Sequence, residues 1–328
     1  MIEVTQKKET ADSKGYGLNR LSFVLPEFTR WVWASDAAKN EWNPRIQAIW
    51  NAWREIEWQS VARGVRACAA ISIPSQKLPD HAKSYVQHGL MALPLEMFGD
   101  SGSTYANQAQ PYRKGQPFSY RVIVGSTDSV QSFERAWSTS NHLAVGRLLG
   151  YPDCCAVFFR SVWVEQGLRD VTWPMALGTR RQFEVAKDTR LVAGSPWCNA
   201  LWRWLGVRAT FHLPCSFECD ASTQVARDLC SLGCELGFQT EMEHLTEILT
   251  WPVSWSALHG IAEVKTPLLK LSTSTDATSC RYVVNRVGER YPEVGAKGFG
   301  FPYQSWRLED WDVHSRGSTQ SKLAGTAT

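Results

Sequence analysis

Two short stretches of this sequence concentrate its soft ligands. The first reads Leu149-Gly150-Tyr151-Pro152-Asp153-Cys154-Cys155-Ala156-Val157-Phe158-Phe159, with adjacent cysteines just after a Gly-Tyr-Pro break. The second reads His212-Leu213-Pro214-Cys215-Ser216-Phe217-Glu218-Cys219-Asp220. Both look like loop-to-helix junctions, where the amides of a first helical turn favour thiolate over thiol. Together they point to one redox or metal site, with Cys154, Cys155, His212, Cys215 and Cys219 as candidate ligands. Adjacent cysteines lack the two-residue gap of a Cys-x-x-Cys knuckle, so one or both of the pair face the site. Cys215-x3-Cys219 is a permissible spacing for zinc or iron–sulfur ligation. The plain alternative is a set of packed free cysteines, which are among the most buried residue types. Cys230 and Cys234 share one face of a predicted helix and read as core. Cys68, Cys198 and Cys280 are isolated and receive no role.

His142 opens a helix that runs into the cysteine pair, and it is the best-placed imidazole for an axial ligand to haem iron; His88 is the runner-up. Cys155, Arg147 and Trp163 complete the candidate haem-binding set, in surroundings rich enough in aromatics for a dry pocket. Asp153 and Glu218 are the candidate catalytic carboxylates, suited to gripping a cationic group such as guanidinium. They and Asp220 equally suit solvated duty at helix starts.

Several classes find no support. There is no Gly-x-Gly-x-x-Gly after a strand, no Walker loop, no Gly-x-Ser-x-Gly elbow and no His-Glu-x-x-His. The net charge of +3 over 328 residues gives no argument for nucleic acid. No run of about 18 apolar residues appears, so no membrane partner is expected. Met1 to Lys14 lacks the apolar core of a signal peptide. The expected compartment is the cytoplasm, where cysteines stay reduced, and nine of them in a chain this long favour thiol or metal chemistry over disulfides. Sixteen tryptophans read mainly as packing.

The elements that must position these residues form an α/β protein of mixed α+β topology, with helices around mixed sheets and no Rossmann fingerprint. A flexible 1–18 is followed by a helix-rich half, 19–167, then a strand–loop–helix half, 168–314, and a disordered tail, 315–328. Ile46, Ile49, Trp50, Trp53 and Ile56 mark one face of a helix over 37–65, with Pro44 near its start. Strands are expected at 66–74 and 120–125, a surface loop or lid at 100–118, and helices at 130–138, 142–149 and 154–167. Residues 168–195 read as irregular. A helical turn at 197–205, a strand at 207–213 and helices at 221–236 and 241–249 follow, then strands at 255–264, 268–274 and 281–287. Gly295 to Phe301 is glycine-rich without a phosphate-loop pattern.

LGYPDCCAVFF together with HLPCSFEC resembles a group of archaeal and bacterial proteins that share a Leu-Gly-Tyr-Pro-x-Cys-Cys and a His-x-Pro-Cys-Ser-x-x-Cys element, over roughly the middle third of the chain. The whole also resembles the haem-dependent L-arginine N-hydroxylases of pathways to cycloserine and diazeniumdiolate amino acids. No haem-ligand motif is matched residue by residue, and the cytochrome P450 signature is absent. The second resemblance implies a cytoplasmic oxygenase that binds haem b and hydroxylates the guanidine of L-arginine in natural-product biosynthesis. Its partners would be a small amino acid and an electron donor; a homodimer is compatible with it. Two alternatives stand beside it: a zinc or iron–sulfur protein using the two cysteine clusters for thiol chemistry or structure, and a zinc-stabilised nucleic-acid- or protein-binding module.

Overall fold

The computed structural model describes residues 16–26, 28–99 and 110–293. The expectations for Gly295 to Phe301, the tail, Met1 to Lys14 and most of the 100–118 loop lie outside these residues. The described chain is α/β. β1 (Thr29–Trp33) leads into α1 (Asp36–Ala62), followed by β2 (Cys68–Pro74), α2 (Leu78–Gln87), β3 (Met91–Gly99), β4 (Gln110–Pro111) and β5 (Phe118–Gly125). Three helices come next: α3 (Thr127–Ser138), α4 (His142–Leu148) and α5 (Asp153–Phe159). Beyond them lie α6 (Thr172–Leu177), β6 (Gln182–Ala186), β7 (Thr189–Val192), α7 (Asp220–Glu235), α8 (Gln239–Leu249), β8 (Val253–Leu258), β9 (Ile261–Lys265), β10 (Leu269–Ser274) and β11 (Tyr282–Arg286).

α1 forms where its apolar stripe predicts. Ser35 caps it by accepting from the Ala38 amide, and Trp42, Ile46, Ile49, Trp53 and Ile56 are buried on one face. Pro44 lies well inside the helix rather than at its start. It sits on the exposed side, where water can take the carbonyl bond that proline forgoes. The buried stripe packs on α7 and α8 in the main core. Trp251 meets Trp42 and Trp202 there edge to face, at 4.6 and 5.8 Å between ring centroids, so these tryptophans are packing residues.

Two sheets flank this helical layer. One runs β2-β5-β3-β4, antiparallel throughout, and the register shift in β3 falls between Pro94 and Glu96, where proline cannot donate to the ladder. The other runs β1-β10-β9-β8-β11-β7-β6, with only β11–β7 parallel. β1 comes early in the chain yet pairs with β10, so the larger sheet joins strands from both ends of the described residues.

Two stretches depart from the sequence reading. Residues 168–195 are ordered: they hold α6 and the β6–β7 hairpin, whose strands alternate too weakly to announce themselves. Residues 207–213 form no strand, because Thr210 Oγ1 donates to the His212 carbonyl at 2.8 Å and folds the segment on itself. A further refinement concerns the helix expected over 154–167. α5 is regular only to Phe159; a π-helical turn, Arg160–Glu165, completes it, with the Gln166 amide donating to the Ser161 carbonyl at 3.2 Å.

Candidate metal centre

The Gly-Tyr-Pro break works residue by residue. Gly150 adopts φ +78°, and a Cβ there would stand 2.8 Å from Arg66 Cβ, so both conformation and space require glycine. Arg66 is itself pinned: its guanidinium donates to Ser60 Oγ at 2.9 Å and to the Glu57 carbonyl at 2.7 Å, and its Cζ lies 3.4 Å from the centre of the Phe211 ring. Tyr151 packs on His212, ring centroids 5.4 Å apart, and Pro152 precedes the first residue of α5. The turn thus delivers Cys154 and Cys155 in the first turn of α5, the former exposed and the latter buried.

The second cluster is clamped from the stretch that the sequence left irregular. The Phe217 amide donates to Thr179 Oγ1 at 3.0 Å, and its ring is fully buried in the main core. The Glu218 carboxylate accepts from the backbone amides of Arg180 and Arg181 and from Arg180 Nε. A Cβ on Gly194 would fall 1.9 Å from the Phe217 carbonyl oxygen, so the chain passes here only as glycine. Cys219 then serves as N-cap of α7, its Sγ accepting from the Ser222 amide at 3.5 Å.

These two constructions bring four sulfurs together. Cys154 Sγ lies 3.8 Å from Cys155 Sγ and 3.7 Å from Cys219 Sγ, and Cys155 Sγ lies 3.7 Å from Cys219 Sγ. With Cys215 they form one group whose sulfurs all lie within 4.8 Å of one another. No family model matches this chain, and no curated protein or solved structure matches it either. The site is read from its own geometry. Four convergent thiol sulfurs can hold a metal ion.

Protonated thiols share this space awkwardly. The Cys219 thiol is held far below its ordinary range, because Cys155 and Cys215 direct hydrogen bonds to it. The Cys155 thiol is pushed far up by its bonds to Cys215 and Cys219 and by burial. A cation among the sulfurs would replace this sharing of protons with direct neutralisation.

The other predicted site residues divide differently. Among the described residues, the only group of three or more potential ligand side chains is the four cysteines, so neither His142 nor His212 is a ligand in it. His142 only opens α4, whose cap is Asn141. His212 instead stands behind the cysteines: its Nε2 is 2.8 Å from Ser222 Oγ, which is 3.1 Å from Cys155 Sγ. Burial lowers His212 to about 4.

Arg147 and Asp153 are spent on each other in an exposed ion pair of 2.7 Å, and Glu218 is committed to the loop clamp. These are the contacts the structure gives the three residues expected to grip a guanidinium or to bind haem. Trp163 stacks on Phe159 at 5.5 Å and packs on the main core. Cys155, also assigned to haem, belongs to the sulfur group, and the arrangement lends haem no support. His88 accompanies Trp58, ring centroids 4.8 Å apart, with Nδ1 2.8 Å from the Ser84 carbonyl. Cys230 is buried in the core as expected, with Cys234 packed against it.

Sequence reasoning missed Ser222, Gly194 and Cys198. Ser222 sits three residues after the capping Cys219, the spacing of an N-cap and its amide donor, and this was the available signal. Cys198 is fully buried beside the group, and its thiol donates to the Cys219 carbonyl at 3.3 Å. Nothing in its local sequence announces that contact. No helix of the described residues is long and apolar enough to cross a membrane.

Proposed function

We propose that this chain is a zinc protein in which Cys154, Cys155, Cys215 and Cys219 hold one ion in a closed tetrahedral shell. The sulfur spacing carries the reading. A zinc–sulfur bond of about 2.3 Å places tetrahedral sulfurs about 3.8 Å apart; the three pairs among Cys154, Cys155 and Cys219 lie at 3.7–3.8 Å, and Cys215 completes the group within 4.8 Å. An iron–sulfur cluster distributes its cysteines over separate irons and spreads them further, so a single ion fits better. Among divalent ions for a tetrathiolate, zinc binds more tightly than ferrous iron.

Four protein thiolates leave no open position for water or substrate, which favours a structural role over Lewis-acid catalysis. The ion would fasten the first turn of α5 to the capped start of α7. Four thiolates around a divalent ion leave two negative charges, and the amides of those helix starts offset them. The adjacent cysteines then make sense: one approaches from the solvent side and the other from the core. In this reading the shared Leu-Gly-Tyr-Pro-x-Cys-Cys and His-x-Pro-Cys-Ser-x-x-Cys elements are the halves of one split tetrathiolate motif. The first provides a turn and two ligands, the second two ligands and a supporting histidine.

Elemental analysis and an absorption spectrum of the purified full chain test this. One zinc per chain, lost on replacing any of the four cysteines by serine, is expected. A Soret band, iron with acid-labile sulfide, or a metal-free protein after incubation with zinc would overturn it.

A further inference from the structure

Behind the sulfur group lie two buried polar atoms that it does not use. His212 Nδ1 and Asn199 Oδ1 have no hydrogen-bond partner among the described residues. The two residues are only 6 % and 2 % exposed. Both line one cavity of about 10 Å³, together with Cys198, Arg203, Arg208 and Thr210. Such a volume fits a single water.

The hydrogen-bond inventory decides what that cavity must supply. A metal-bound Cys155 is a thiolate and can only accept. Ser222 has one hydroxyl proton, and its oxygen stands 3.1 Å from Cys155 Sγ and 2.8 Å from His212 Nε2. If that proton goes to sulfur, the serine oxygen must accept from the histidine, so Nε2 carries the ring proton and Nδ1 is left as a bare lone pair. Asn199 is oriented independently: its Nδ2 donates to the Leu249 carbonyl at 2.9 Å, which leaves its oxygen as the unsatisfied acceptor. Two acceptors, each in need of a donor, therefore belong to residues that line one cavity. A water has two protons to give.

We infer that one buried water occupies this cavity and donates to His212 Nδ1 and Asn199 Oδ1. It thereby holds His212 in the tautomer that protonates Nε2. His212 is then a positioning residue: it orients Ser222 so that the hydroxyl proton points at the Cys155 thiolate. This chain, water–His212–Ser222–Cys155, rests on the tetrathiolate reading, because it requires Cys155 to be ionised. Outer hydrogen bonds of this kind orient ligands and tune their metal, and their loss commonly weakens binding about 10- to 100-fold.

The test begins with zinc content, so that the two readings fail separately. A wild-type chain that binds no zinc overturns the tetrathiolate reading and this one with it. On zinc-loaded wild type, long-range proton–nitrogen NMR of the histidine rings should find His212 protonated at Nε2 and bare at Nδ1. A proton on Nδ1 overturns the inference and leaves the zinc reading standing. A high-resolution crystal structure should place one water within hydrogen-bond distance of both acceptors; a dry cavity or an ion there overturns it. Ser222→Ala should weaken zinc against a chelator about 10- to 100-fold and shift the thiolate charge-transfer band of the cobalt-substituted protein. Ser222→Thr, which keeps the hydroxyl, should restore both. Unchanged affinity and spectrum in Ser222→Ala would contradict the role given to Ser222, and the wild-type NMR result still decides if that variant does not fold.

Discussion

Cys154 Sγ and Cys219 Sγ lie 3.7 Å apart although 65 residues separate them in sequence. Each stands at the start of a different helix, so the contact fixes the beginning of α5 to the beginning of α7. Serine is as good an N-cap as any residue. Cys219→Ser therefore keeps the cap and removes the ligand. The variant is expected to bind no zinc with native affinity and to lose the stabilisation that zinc gives the wild type, about 4 kcal/mol when free zinc is a thousandfold above Kd. Denaturant titrations with and without zinc check this: the wild type should respond to zinc and the variant should not.

Gly194 gives a second test, at a distance from any ligand atom. A side-chain carbon there would overlap the Phe217 carbonyl, between the two ligands of the 215–219 loop. Gly194→Ala is expected to cost about 2–3 kcal/mol by overpacking and to lower zinc affinity, because the loop must move. At Gly178 an added carbon would stand 3.0 Å from the Cys215 carbonyl oxygen, a milder approach. Gly178→Ala should show the same changes, smaller. Equal effects at the two positions, measured by thermal unfolding and chelator competition, would contradict the clamp.

Asp170 tests the scaffold apart from the metal. Its Oδ1 accepts from Arg203 at 2.7 Å and from Thr172 Oγ1 at 2.6 Å, and its Oδ2 from Trp255 Nε1 and Thr275 Oγ1, both at 2.9 Å. Every donor is aimed at a carboxylate. Asp170→Ala leaves Arg203 as a charge buried without its partner, and should cost about 3–5 kcal/mol. The protein that remains folded should still bind one zinc. Loss of zinc at unchanged stability would reverse the roles assigned here.

Cys154 is the exposed sulfur of the group and the one within reach of an oxidant. Hydrogen peroxide should convert Cys154 and Cys219 to a disulfide: two thiolates give up two electrons, and the peroxide takes two protons to leave as two waters. The ion then loses two ligands and is released. Peptide mapping of the oxidised protein should recover the 154–219 link together with free zinc. Oxidation that starts at Cys198 or Cys230, which are buried, would contradict the assigned exposure.

Much of this site was legible in the sequence. The Gly-Tyr-Pro break announced a turn, and the two cysteine clusters announced a shared centre, because soft ligands at helix starts have few other uses. The stripe of α1 was equally plain, since 27 residues of regular spacing outweigh one internal proline. What stayed hidden depends on long-range contacts. His212 looked like a ligand because it neighbours Cys215 in sequence, yet its ring turns towards Ser222 on α7. The amides that meet Glu218 come from Arg180 and Arg181, a stretch that spacing around the cysteines does not reveal. The clamp at 178–194 left no periodic signal: its work is done by one hydroxyl, two glycines and a few amides.

X-ray absorption at the zinc edge of the purified full chain tests the central claim most directly. Four sulfur neighbours at about 2.3 Å and no nitrogen or oxygen are predicted. A shell containing nitrogen would restore a histidine to the ligand set, and an iron edge in place of the zinc edge would contradict the proposal outright.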